Sequence, residues 1–78
     1  MKATVLVRLK SEVLDPQGDA VRRALAKLGF EGVKGVRVGK LIEIEMGEGD
    51  RVDVKARLEK MADEMLANPV IEDFEIQI

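Results

Sequence analysis

Seventy-eight residues with a net charge of −2, 36% charged side chains and neither Cys nor His describe one small domain, residues 1–78. The composition excludes disulfides, thiolate or imidazole metal sites, and Cys or His nucleophiles. The charge is dense but balanced, so nothing draws the chain to phosphate backbones. No apolar run approaches the ~20 residues that span a bilayer. The reading is therefore a cytoplasmic protein with neither nucleic acid nor membrane as a partner. At this size a single core supplies only a few kcal/mol, which leaves oligomerisation as the available extra stabilisation.

Residues 3 to 9 alternate, with Ala3, Val5, Val7 and Leu9 on one face and Thr4 and Arg8 on the other, interrupted only by Leu6. This predicts a strand with one buried face. The segment Val13 to Phe30 then holds a complete helix signal. Asp15 is an N-cap candidate and Pro16 suits the first helical position. Ala20, Val21, Ala24, Leu25 and Leu28 form one apolar stripe, Asp19, Arg22, Arg23 and Lys27 face away from it, and Gly29 ends the helix. Gln17 and Gly18 fit less well, because Gly in a first turn costs about 1 kcal/mol against Ala.

After Gly32 an extended region runs to Met46, with Val36, Val38, Ile42, Ile44 and Met46 sharing one parity. A two-residue hairpin at Gly39 and Lys40 would place Val36 opposite Glu43 on the same face. The parity thus favours one long strand, bent or bulged near Gly39, although a three-residue connection would also keep the faces matched. Asp50 and Asp53 open a second helix whose stripe is Val54, Leu58, Met61, Ala62 and Met65, and which Asn68 and Pro69 stop. Phe74, Ile76 and Ile78 share one face of a last strand.

The order β-α-β-α-β predicts an α+β two-layer sandwich, related to ferredoxin-like folds, with both helices on one face of the sheet. Strands joined through a helix are expected to run parallel with room for another strand between them. A long bent middle strand would leave its far half without a partner in the chain, so a second subunit is expected to complete the sheet.

Motifs for chemistry are thin. Glu43, Glu45, Glu48 and Asp50 lack calcium-loop spacing. Gly35 to Lys40 resembles a phosphate loop but has Leu41 where Ser or Thr must meet magnesium. Gly32 to Gly35 fits the short GxxG of RNA-clamping loops yet leads into a strand. Ser11 and Thr4 have no base to activate them. No catalytic residue, cofactor or metal is expected.

Three segments together carry a family resemblance: Lys10 with Val13-Leu14-Asp15-Pro16-Gln17-Gly18, then Val36-Arg37-Val38-Gly39-Lys40, then Leu66-Ala67-Asn68-Pro69-Val70-Ile71-Glu72-Asp73-Phe74. They resemble the PurS family, the small subunits of phosphoribosylformylglycinamidine (FGAM) synthase, along essentially the whole chain. The resemblance implies a subunit without activity of its own in an ATP- and glutamine-dependent carbon–nitrogen ligase of purine biosynthesis. Its partners would be a second copy of itself, a synthetase subunit and a glutaminase subunit, which it joins so that ammonia passes between them. Asp15, Gln17, Gly18, Arg37, Gly39, Lys40, Ile42 and Ile44 are the candidate interface residues. On the physics of the site, Gln17 and Gly18 serve either such a contact or folding alone. A ferredoxin-like small-molecule sensor of the ACT type shares the element order and is the alternative.

Overall fold

The computed structural model describes residues 1–78. Strand β1 spans Lys2–Leu9, helix α1 Pro16–Lys27, strand β2 Gly39–Glu45, helix α2 Arg51–Met61 and strand β3 Glu72–Gln77. The sheet has the order β2-β1-β3, and both neighbours of β1 run antiparallel to it. No helix is long and apolar enough to cross a membrane.

β1 is central because its alternation leaves one clean apolar face: Ala3, Val5 and Val7 are all buried. Val5 lies opposite Ile42 on β2 and opposite Ile76 on β3, so one apolar row crosses the sheet. α2 covers this face of the sheet, with Val54 and Leu58 packed on Ala3, and Ala62, just past its end, packed with Val5 and Val7. The opposite sheet face is left uncovered. It carries the pairs Lys2–Glu43 at 2.6 Å and Arg8–Glu75 at 3.1 Å, with Leu6 opposite Leu41 between them.

α2 begins where Asp50 accepts a hydrogen bond from the Val52 amide at 2.8 Å. It ends in a widened turn over Ala62–Leu66, closed by the Ala67 amide on the Ala62 carbonyl at 2.8 Å. That wider turn shifts the stripe by one residue. Leu66 packs against the core and Met65, expected inside, is 84% exposed.

Two topological expectations need correction. The strands on either side of α1 are not parallel with a gap: β1 and β2 are direct antiparallel neighbours. The split arrangement belongs instead to β2 and β3, which flank β1 and are joined through α2. Nor do both helices cover the sheet. α1 makes no extended contact with any strand or with α2, and the molecule measures 49 × 24 × 15 Å. Residues 10–38 thus form one very long hairpin connection, leaving β1 through α1 and returning as an extended limb into β2.

The middle strand follows the parity argument in part. There is no hairpin at Gly39, but only Gly39–Glu45 is paired. Residues 31–37 make no backbone–backbone hydrogen bond. This is the unpartnered far half that the alternation predicted.

Candidate functional site

The one built arrangement of polar groups lies where the arm, residues 16–38, meets the body formed by the sheet and α2. Asp15 is buried, and its carboxylate accepts two backbone hydrogen bonds from two different segments. The Gly18 amide donates to Oδ1 at 2.8 Å, which is the helix cap. The Val38 amide donates to Oδ2 at 2.7 Å, which ties the returning limb to the start of α1. These two bonds, the Val38 one first, hold the Asp15 carboxyl below its ordinary value of 3.8, against the opposing effect of burial and with help from the nearby Arg37 charge.

Gly18 completes the clasp by what it lacks. A Cβ at this position would collide with the Val36 carbonyl oxygen and crowd the carbonyl carbon at 2.9 Å. The poor helix former in the first turn is therefore required by a close approach of backbone to backbone. Arg37 adds a third tie, donating from one guanidinium nitrogen to the carbonyls of Lys10 at 2.8 Å and Val13 at 2.9 Å. Gly39, the first residue of β2, passes so close to β1 that a Cβ would meet the Val7 carbonyl oxygen at 2.6 Å.

At its other end α1 stops as the sequence predicts. Gly29, with φ 93°, follows the last turn, and the Phe30 amide reaches back to the Leu25 carbonyl at 3.1 Å. Along its length the helix buries only Gly18. Leu28 is 73% and Phe30 59% exposed, and Val21 and Val33 are also open.

The structure brings Asp15, Gly18 and Arg37 together, with Gln17 beside them on the surface. Lys40 on β2 stands 3.9 Å from Glu72 of β3 and, with Asp15, Gln17 and Gly39, lines a small cleft of about 230 Å3. Ile42 and Ile44 lie half-buried against the core of the body. Sequence reasoning flagged Gly18 as anomalous but gave no sign of its partner, because Val36 and Val38 look like ordinary strand residues. A cleft of about 430 Å3 opens beside the clasp, lined by Leu14, Asp15, Pro16, Asp19, Arg22 and the limb. Arg22 pairs with Asp19 at 2.8 Å and Arg37 is held by the two carbonyls, while Lys34, which also lines the cleft, makes no ion pair. The arrangement holds two chain segments in a fixed pose and supplies no nucleophile or base.

The fold is thus a three-stranded antiparallel α+β body with a clasped, projecting helical arm. Comparison with known proteins gives it a family. The PurS family model, described as phosphoribosylformylglycinamidine (FGAM) synthase, matches residues 2–78. PurS of Methanocaldococcus jannaschii is 47% identical over 77 residues, covering 99% of this chain and 93% of that protein. PurS of Bacillus subtilis is 42% identical over 77 residues, covering 99% and 90%. The crystal structure of M. jannaschii PurS, one of the subunits of formylglycinamide ribonucleotide amidotransferase in the purine biosynthetic pathway, superposes with a TM-score of 0.88 at 49% identity, covering 97% of this chain and 92% of that one. A chain in the structure of PurLQS from Thermotoga maritima also gives 0.88, at 32% identity and with 97% and 93% covered. The chain belongs to the PurS family, and the small-molecule sensor is set aside.

Proposed function

We propose that this chain is the non-catalytic small subunit of an FGAM synthase, acting in the cytoplasm. It assembles with a second copy of itself and joins a synthetase subunit to a glutaminase subunit, so that ammonia released from glutamine reaches the ATP-dependent amidation of formylglycinamide ribonucleotide without escaping. The observation that carries this reading is the arm. Its limb, residues 31–37, is extended but has no backbone partner in its own chain, and it lies next to a helix whose apolar residues are open to water. An unpaired strand edge of this kind recruits other backbone. Family membership and the likeness to a chain of PurLQS support the identity of the larger assembly.

In this role Asp15, Gly18 and Arg37 set the pose of the arm, while Gln17 and Lys40, both exposed, are available to partners. Linking two active sites in one assembly converts diffusive transfer of ammonia into internal transfer at high effective concentration. The test is reconstitution of the two large subunits with and without this chain. Glutamine-dependent synthesis should rise sharply when it is added, while synthesis from supplied ammonia changes much less. Equal glutamine-dependent rates with and without the chain would overturn the connector function.

A further inference from the structure

The two helices differ in what supports them. α2, with 11 residues, buries Val54 and Leu58 and runs on into buried Ala62. α1, with 12 residues, buries only Gly18 and gives no side chain to either cluster of the core. Isolated helices shorter than ~12–15 residues are marginal in water, and in proteins it is packing of the apolar face that holds them. α1 has such a face, with Val21 and Leu28 exposed on it, and neither the sheet nor α2 packs extensively against it. Its internal support is confined to its two ends and to the surface pairs of Asp19 with Arg22 and Arg23.

The start of α1 is also wired to the limb. The Val38 amide shares the Asp15 carboxylate with the Gly18 amide, and Gly18 packs on the Val36 carbonyl. Whatever fixes the limb therefore fixes the first turn of the helix, which is the costly turn to nucleate. Resting on the assembly proposed above, we infer that the arm, residues 16–38, folds only when a second copy of the chain covers it, whereas the sheet and α2 remain folded in the dissociated chain. The second copy is the occupant because the unpaired limb runs directly into the edge strand β2, so one interface extends a sheet that the chain already has. A two-fold axis then pairs like with like and lets each copy supply both the open apolar face and its cover. Coupling of this kind makes arm order a readout of assembly, and leaves the arm as the region of lowest local stability.

Amide hydrogen exchange resolved along the sequence, with the mass of each sample taken by light scattering, tests this. Two samples are compared: the parent chain at high concentration and Lys34→Pro, in which a proline removes an amide from the limb and blocks strand pairing. The expected result is a parent of multiple mass with α1 protected. Lys34→Pro should have the mass of one chain, with exchange in α1 faster by roughly tenfold or more and exchange in β1 and α2 changed far less. A single-chain Lys34→Pro in which α1 stays as protected as in the parent overturns the inference, as does loss of protection in α1, β1 and α2 together. If the parent itself has the mass of one chain, self-assembly fails. The inference then falls with it, whether or not α1 is protected, because the second copy is not what covers the arm. If Lys34→Pro keeps the parent's mass and its α1 protection, limb pairing is not what orders the arm, and the inference falls.

Discussion

The body and the arm of this molecule solve the same problem by opposite means. In the body, apolar residues of β1, β2, β3 and α2 meet one another and exclude water, and polar side chains stay at the rim. In the arm, apolar residues stay open to solvent, and a carboxylate, a missing Cβ and a guanidinium hold the backbone in place. The body is stabilised from within. The arm is positioned by its base and left for something else to cover.

That contrast can be broken most severely from the body side. Leu58 is fully buried, so Leu58→Ala should cost about 2–5 kcal/mol, a large share of the stability of so small a chain, and should abolish cooperative melting or lower its midpoint drastically. A melting temperature within a few degrees of the parent's would mean that the core is elsewhere.

Gly18→Ala comes next. Its methyl group must displace the Val36 carbonyl, at a cost of about 1–3 kcal/mol. The damage should fall on α1 and the limb, read as lost exchange protection there, while β1 and α2 keep theirs. Uniform loss along the chain would show that arm and body are one unit.

Asp15→Asn should act in the same place with a smaller effect and a distinctive pH dependence. Because the folded carboxyl is held below 3.8 by the Val38 and Gly18 amides, its stabilising contribution is complete above that value and is lost as pH falls through 3.8 toward the depressed folded value. Acid titration of the parent, followed by exchange in α1, should show this loss, and in Asp15→Asn most of it should be absent. Asp19, lowered chiefly by its hydrogen bond from Arg22, adds a second acid-sensitive contribution in the same helix. Identical acid profiles in the two proteins would remove Asp15 from the clasp.

The smallest effect sharpens the border of the body. Met65→Ser should change stability by no more than about 0.5 kcal/mol, since Met65 stands in solvent. Leu66→Ala should cost about 1–2 kcal/mol, because the widened turn carries Leu66 inward. Denaturant midpoints of the two variants in the reverse order would restore the regular helical stripe.

The body was largely legible because its signals are local: alternation in β1, the Asp50 cap, and the Val54, Leu58 and Ala62 spacing each point to one local structure. What escaped is non-local or departs from the regular period. A regular helix predicts Met65 inside, and nothing in the sequence announces the wider turn that exchanges it for Leu66. The two-residue hairpin was disfavoured by parity alone, but the adjacency of β1 and β2 depends on α1 leaving the sheet, and α1 carries an amphipathic stripe like that of any packed helix. The clasp was half visible. Asp15 and the misplaced Gly18 stood out, while the amide of Val38 and the carbonyl of Val36 are backbone groups that no residue type reveals.

The central claim is that the arm, not the surface of the body, carries the function. It is tested most directly by measuring glutamine-dependent and ammonia-dependent synthesis in the reconstituted complex with Gly18→Ala and with Met65→Ser. The account predicts that Gly18→Ala brings glutamine-dependent synthesis down toward the level without this chain and leaves ammonia-dependent synthesis nearly intact, while Met65→Ser changes neither. Full glutamine-dependent activity with Gly18→Ala, or its loss with Met65→Ser, would contradict it.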